Sequence, residues 1–118
     1  MQDTDPTALA LRYFDAVQAA DKAQLLALFA DDAELFSIGA GFINGADAIA
    51  EYYDESFFGE GRRLRPEIGP FFVLGDTVAV EVRARSESGT SSWLADFFTV
   101  RGGLIQSLHV YYGPNEQA

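Results

Sequence analysis

Apolar residues recur at helical spacing in the first half of the chain and at strand spacing in the second. Leu9, Tyr13, Val17 and Ala20 form one stripe, with Ala10 and Phe14 beside it. That is the repeat of an amphipathic helix. Asp5-Pro6 before it reads as an N-cap followed by proline at the first helical position. Asp21, with Gln24 three residues on, resembles a cap opening a second helix that buries Leu25, Leu28 and Phe29. Asp31-Asp32 would sit badly against the negative end of a helix. The second helix is therefore expected to stop near Phe29 or Ala30. Glu34 to Ile38 is a short strand candidate, and Gly39, Gly41 and Gly45 mark a loop. Ala46 to about Phe57 is a third helix, with Ile49, Tyr52 and Tyr53 on one side.

From Arg62 onward helical periodicity disappears. Phe71–Leu74 and Thr77–Arg85 face each other across Gly75-Asp76, a two-residue hairpin turn. Val78, Val80, Val82 and Ala84 alternate with Ala79, Glu81, Arg83 and Arg85, so this strand has one apolar and one wet face. Ser86 to Ser91 reads as a small polar loop. Trp93–Val100 and Leu104–Tyr112 form a last hairpin around Arg101-Gly102-Gly103. Three helices followed by an antiparallel meander make the class α+β. The helices are expected to pack on a strongly curved antiparallel sheet, a cone-shaped barrel with a pocket between the layers. Residues 1–118 are read as one domain, with 1–5 and 113–118 as loose termini.

Composition narrows the chemistry. The 118 residues include ten Phe, five Tyr and one Trp, so rings fill a dense core or line a cavity. There is no cysteine and a single histidine, His109. Disulfides, thiolate catalysis and the common zinc sites are thereby set aside, and no metal or cofactor is expected. A net charge of −10 disfavours nucleic acid and anionic lipid as partners. The acidic start does not read as a signal peptide, and no run approaches ~18 apolar residues, so a cytoplasmic protein is expected.

Five segments carry a resemblance: Leu11-Arg-Tyr-Phe14, Phe29-Ala-Asp-Asp-Ala33, Asn44-Gly-Ala-Asp-Ala-Ile-Ala-Glu-Tyr-Tyr53, Ala95-Asp-Phe-Phe-Thr-Val100 and Leu104-Ile-Gln106. In this order the chain resembles the nuclear transport factor 2-like superfamily, in its ketosteroid isomerase and SnoaL-like branch. That superfamily hosts isomerases, dehydratases, cyclases, epoxide hydrolases and non-catalytic binding modules, so the fold alone does not choose among them.

Asp96 lies inside an otherwise apolar strand and matches the position where the resemblance to ketosteroid isomerases implies a protonated Asp hydrogen-bonding a substrate oxygen. Burial would raise its pKa. The alternative is a carboxylate bonded to a neighbouring Tyr or backbone group. Tyr13 matches the family's phenolic donor, with plain core packing as the alternative, and Tyr53 is expected beside it. Ser37 stands where the resemblance implies a general-base Asp, and a serine without a base does not abstract protons at neutral pH. The expected lining adds Val17, Tyr52, Val80, Val82, Leu94, Phe98, Leu108, Val110 and Tyr112. Such walls suit a small hydrophobic carbonyl or polycyclic compound, handled by isomerase, cyclase or hydratase/dehydratase chemistry; the alternative is a non-catalytic ligand-binding or protein-interaction module of the same fold.

His109 depends on hairpin register. A two-residue Gly102-Gly103 turn sets Asp96 opposite His109, and a three-residue loop sets it opposite Leu108. The resemblance favours the second, with Leu108, Val110 and Tyr112 on the face of Asp96. Trp93, Phe97, His109 and Tyr111 then share an outer face, which reads as a homodimer interface. Arg62, Arg63 and Arg65 are the one basic cluster, an anion site or a salted strand edge. Glu81 with Arg83, and Glu51 with Asp54 and Glu55, read as solvated faces.

Overall fold

The computed structural model describes residues 5–59, 64–87 and 89–117, the last three as backbone. The caps set the first two helices. The Asp5 carboxylate accepts from the Thr7 amide and opens α1 (Pro6–Ala19). The Asp21 carboxylate accepts from the Gln24 amide and opens α2 (Lys22–Leu26). Helix α2 ends earlier than its apolar pattern implies. Phe29 and Ala30 are buried in a strand instead, β1 (Phe29–Ser37), where Phe29 pairs with Ile105. Sheet pairing outweighs the local helical spacing there. The glycine-rich stretch is also not all loop: β2 (Gly41–Asn44) folds back on β1 and pairs Phe42 with Phe36. Helix α3 spans Ala46–Phe57.

The meander follows as β3 (Leu64–Leu74), β4 (Thr77–Ser86), β5 (Thr90–Arg101) and β6 (Leu104–Gln117). Leu74 pairs with Thr77 across Gly75-Asp76, the expected tight turn, and Gly75 has the positive φ of 61° that such turns use. Strand order is β2-β1-β6-β5-β4-β3. The expectation of a purely antiparallel sheet is corrected at one seam. β6 returns to the centre and lies parallel to β1, so the six-strand sheet is mixed. It is curved but not closed, with β2 and β3 at its edges among the described residues. The chain from Gly113 is not a loose end either. Asn115, Glu116 and Gln117 pair with Ser92, Ser91 and Thr90. Of the N-terminal tail, Asp5 is the helix cap, and residues 1–4 lie outside the described residues. Among the described residues no helix is long and apolar enough to cross a membrane.

The β5–β6 hairpin takes neither of the two registers considered. Its turn is Gly102-Gly103, both with positive φ (62° and 80°), and Arg101 pairs with Leu104. A bulge then intervenes: Val100 pairs with Ile105, but Thr99 pairs with Ser107. The extra residue, Gln106, restores the facing that a three-residue loop would have given. Asp96 pairs with Val110 and shares its face with Leu108 and Tyr112, while His109 pairs with Phe97 on the other face.

The helices lie on the inner face of the sheet, α1 across β3, β4 and β5, and α3 against β1 and β2. Phe98 is fully buried, and its ring meets those of Tyr13 and Phe14 edge-on at 5.1 and 5.9 Å. It ties β5 to α1. Phe98→Ala is expected to cost about 3–5 kcal/mol, read as a lowered denaturation midpoint. A cost below about 1 kcal/mol would show that this contact does not hold helix to sheet.

Candidate functional site

Sheet register builds the site in rungs on the inner face. The first rung crosses four strands as Leu35, Leu108, Phe98 and Val78, all fully buried and apolar. It closes one end. The next rung is Ser37, Val110, Asp96 and Val80, in that strand order. Ser37 and Asp96 are thus two strands apart, about 10 Å between backbones. The third is Tyr112, Leu94 and Val82. A cavity of about 140 Å³ opens over these rungs.

Asp96 is 2% exposed and lines this cavity, and its Oδ1 has no hydrogen-bond partner. Desolvation pushes its pKa up from 3.8 to about 7. The carboxyl group is therefore poised between its two protonation states near neutral pH. The alternative raised from the sequence, a carboxylate satisfied by neighbours, does not describe Oδ1.

Tyr13 from α1 and Tyr53 from α3 meet over the cavity, their hydroxyl oxygens 2.6 Å apart and both side chains buried. The pairing of the two rings, read from the sequence, is present. Burial raises both phenol pKa values, and the charge of Asp96 raises them further, so both stay neutral. Two hydroxyls hold two protons, and the bond between them uses one. The other is available to a ligand oxygen. Ser37 is buried in the cavity wall, which the Tyr52 phenol also lines.

Of the other expected lining residues, Leu94, Val110 and Tyr112 reach the cavity. Val17, Val80, Val82, Phe98 and Leu108 do not; they are packed in the core. Val80 and Val82 belong to β4, which α1 crosses, and Phe98 and Leu108 fill the closed end. Sequence alternation identifies the inner face but not which part of it a helix covers. The lining also includes Leu35 and Phe57, and at the open end Leu64, which pairs with Ser86, together with Ala84, Ser86, Thr90 and Ser92. Ala84 and Ser86 continue the inward alternation of β4. Thr90 and Ser92 continue that of β5, hidden because small polar residues read as loop.

On the outer face, His109 Nε2 lies 2.8 Å from Glu34 Oε2, away from Asp96. Of the basic cluster, Arg65 is exposed on β3, and Arg62 and Arg63 lie outside the described residues. Arg83 stacks over Trp93, its guanidinium carbon 5.4 Å from the ring centre, and Glu51 pairs with Lys22. Among the described residues no three His, Asp or Glu side chains are grouped to hold a metal ion.

The profile of the SnoaL-like domain matches residues 10–108, and the chain belongs to that family, within the nuclear transport factor 2-like superfamily. A curated relative, the steroid Delta-isomerase of Nocardioides simplex, is 26% identical over 110 residues, covering 89% of this chain and 87% of its own. Among solved structures, the epoxide hydrolase/cyclase-like enzyme SalBIII of salinomycin pyran ring formation superposes with a TM-score of 0.84 at 21% identity. That match covers 96% of this chain and 95% of the other. An LEH-like epoxide hydrolase of M. tuberculosis gives 0.80 at 20% identity, covering 92% and 82%. These two superpositions establish the fold.

Proposed function

We propose that this protein is an acid/base enzyme acting on a small, largely apolar molecule with a carbonyl oxygen, and that Asp96 moves the proton. The observation that carries the reading is the buried Asp96 carboxyl, one oxygen unpartnered, facing a cavity beside a neutral phenol pair. An unsatisfied buried polar atom is costly unless something else completes it, and a ligand atom would do so. The site also tunes the acid toward working pH, as proton transfer in both directions requires.

In the reaction we propose, a carbon–hydrogen bond next to the carbonyl breaks and its proton passes to the Asp96 carboxylate. The electron pair moves into the carbonyl, and the resulting enolate oxygen accepts a hydrogen bond from a tyrosine hydroxyl of the Tyr13–Tyr53 pair. Asp96 then returns the proton to the same carbon or a conjugated one. One titrating group suffices, so the Ser that replaces the family's second acid is no obstacle. The relative named a steroid Delta-isomerase supports this class of chemistry. The test needs no natural substrate. Exchange of the α-protons of cyclohex-3-enone for deuterium, followed by NMR, is expected to be accelerated by the protein. Its rate should rise with pH to a plateau above about 7 as Asp96 ionises. No acceleration at any pH, with binding retained, would instead favour a ligand carrier, a reading that Ser37 in the base position supports.

The partner we propose is a second copy on the outer face. One rung there crosses the whole sheet as Phe42, Phe36, His109, Phe97, Ala79 and Phe72. Phe42 and Phe72 at its two ends are 62% and 64% exposed. A ring-rich band across the outer face suits a twofold contact with itself. Sedimentation is expected to give a dimer, and Phe97→Asp a monomer with the fold unchanged. A monomeric parent protein would dismiss the interface.

A further inference from the structure

Beyond Asp96 the inner face changes character in steps. The rung of Val82, Leu94 and Tyr112 is apolar but for one phenol. The next pairs Ala84 with Ser92. After it, Ser86 stands beside Thr90, with the Ser86 hydroxyl 3.3 Å from both the Thr90 amide and its carbonyl. All four of these outer residues line the cavity, and Ser86, Thr90 and Ser92 are partly exposed. Along β4 and β5, bulk therefore falls and hydroxyl content rises from the closed end to the open one, while Leu64 of β3, which pairs with Ser86, keeps one apolar side chain on the outermost rung. No Lys, Arg or His is among the described lining residues.

Strand geometry gives the scale. Residues on one face repeat every ~6.7 Å, so Ser92 stands at most ~13 Å along β5 from Asp96, less where the strand curves. The cavity volume of about 140 Å³ is close to that of an engineered protein cavity of ~150 Å³ that takes up benzene. A single ring takes up most of that space, and an arm on it runs along the rungs toward the open end of the same cavity.

Resting on the acid/base reading above, we propose that the substrate is an uncharged hydroxy-ketone. Its single ring and carbonyl sit at Asp96, and a hydroxylated arm lies along Leu94 to reach the hydroxyl wall of Ser92 and Thr90. A polar wall at a fixed distance from the acid selects a neutral hydrogen-bonding group there. A carboxylate or phosphate would find no cation among the described lining residues and would share the cavity with Asp96. A purely apolar arm would leave the wall's hydroxyls to water. This assigns to Ser92 and Thr90 a part in specificity and none in proton transfer.

The test compares three cyclohexanones that differ only in the arm on the ring carbon opposite the carbonyl: propyl, hydroxypropyl or carboxyethyl. Binding is measured by calorimetry to the parent protein, to Ser92→Ala and to Thr90→Val, with thermal unfolding as the check on folding. The hydroxypropyl ketone is expected to bind the parent roughly 3- to 10-fold tighter than the propyl ketone, the effect of one or two hydrogen bonds. That advantage should fall below about 2-fold in at least one variant, while propyl ketone binding stays as it was. Equal binding of the two arms, an advantage that survives both substitutions, or tighter binding of the carboxyethyl ketone would each overturn the proposal. Those results leave the Asp96 reading intact. If none of the three ketones binds, this proposal falls as well, while the Asp96 reading is decided by the exchange experiment alone.

Discussion

Asp96→Asn is expected to slow α-proton exchange of the cyclic enone by about 10²- to 10⁴-fold, the range in which a positioned acid/base group contributes. The substitution keeps the shape of the side chain and removes its ability to take up and return a proton. Because Asp96 stands on a rung between Val80 and Val110, fixed by the pairing of three adjacent strands, no neighbour replaces it. Ser37 lies two strands away, and a serine hydroxyl without a base beside it does not take up a proton near neutral pH. The loss should sit in turnover rather than in binding, since the ring still fills the same walls. A variant that exchanges protons at the parent's rate would remove Asp96 from the chemistry, whatever its burial.

The same substitution is expected to change the pH dependence of stability, in a direction opposite to that of most carboxylates. The unfolded chain releases the Asp96 proton near 3.8, and the folded chain holds it up to about 7. Between those values the folded state carries more bound proton, so stability falls as pH rises. The contribution is fully present below the lower value and is lost as pH passes the upper one. The difference corresponds to about 4 kcal/mol. Asp96→Asn removes the dependence. Denaturant unfolding should find the variant close to the parent at pH 4 and more stable by about that amount at pH 8. Equal stability across the range would mean that the ionised carboxylate is not penalised in the folded chain. Tyr13 and Tyr53 do not enter this window, because burial holds both phenols neutral far above it.

Local signals carried much of this molecule. Caps at Asp5 and Asp21, the turn at Gly75 and the alternation along β4 each work through neighbours in sequence, and each is found in the fold. What escaped is set by contacts between distant segments. Phe29 and Ala30 are helical by spacing but strand by pairing, because Ile105 waits on β6. The parallel seam between β1 and β6 has no sequence mark at all, since it follows from where the last strand comes to rest. The facing of Asp96 was inferred correctly from the wrong turn; the bulge at Gln106 supplied the missing residue. At the site, the residues chosen for their chemistry, Asp96, Tyr13, Tyr53 and Ser37, do gather around one cavity. The apolar choices were less successful. Val17, Val80, Val82, Phe98 and Leu108 share the right face, yet helix packing and the closed end take them out of the cavity.

One buried acid, held neutral or ionised by little more than its surroundings, is the physical basis of both effects. Its titration is measurable without substrate, in protein whose aspartates carry a carbon-13 label at the carboxyl carbon, the Asp96 signal assigned through Asp96→Asn. A midpoint at about 7 is the expected result. A midpoint in the ordinary range near 3.8 would mean a solvated carboxylate, and neither the loss of exchange nor the inverted stability profile would then have a cause.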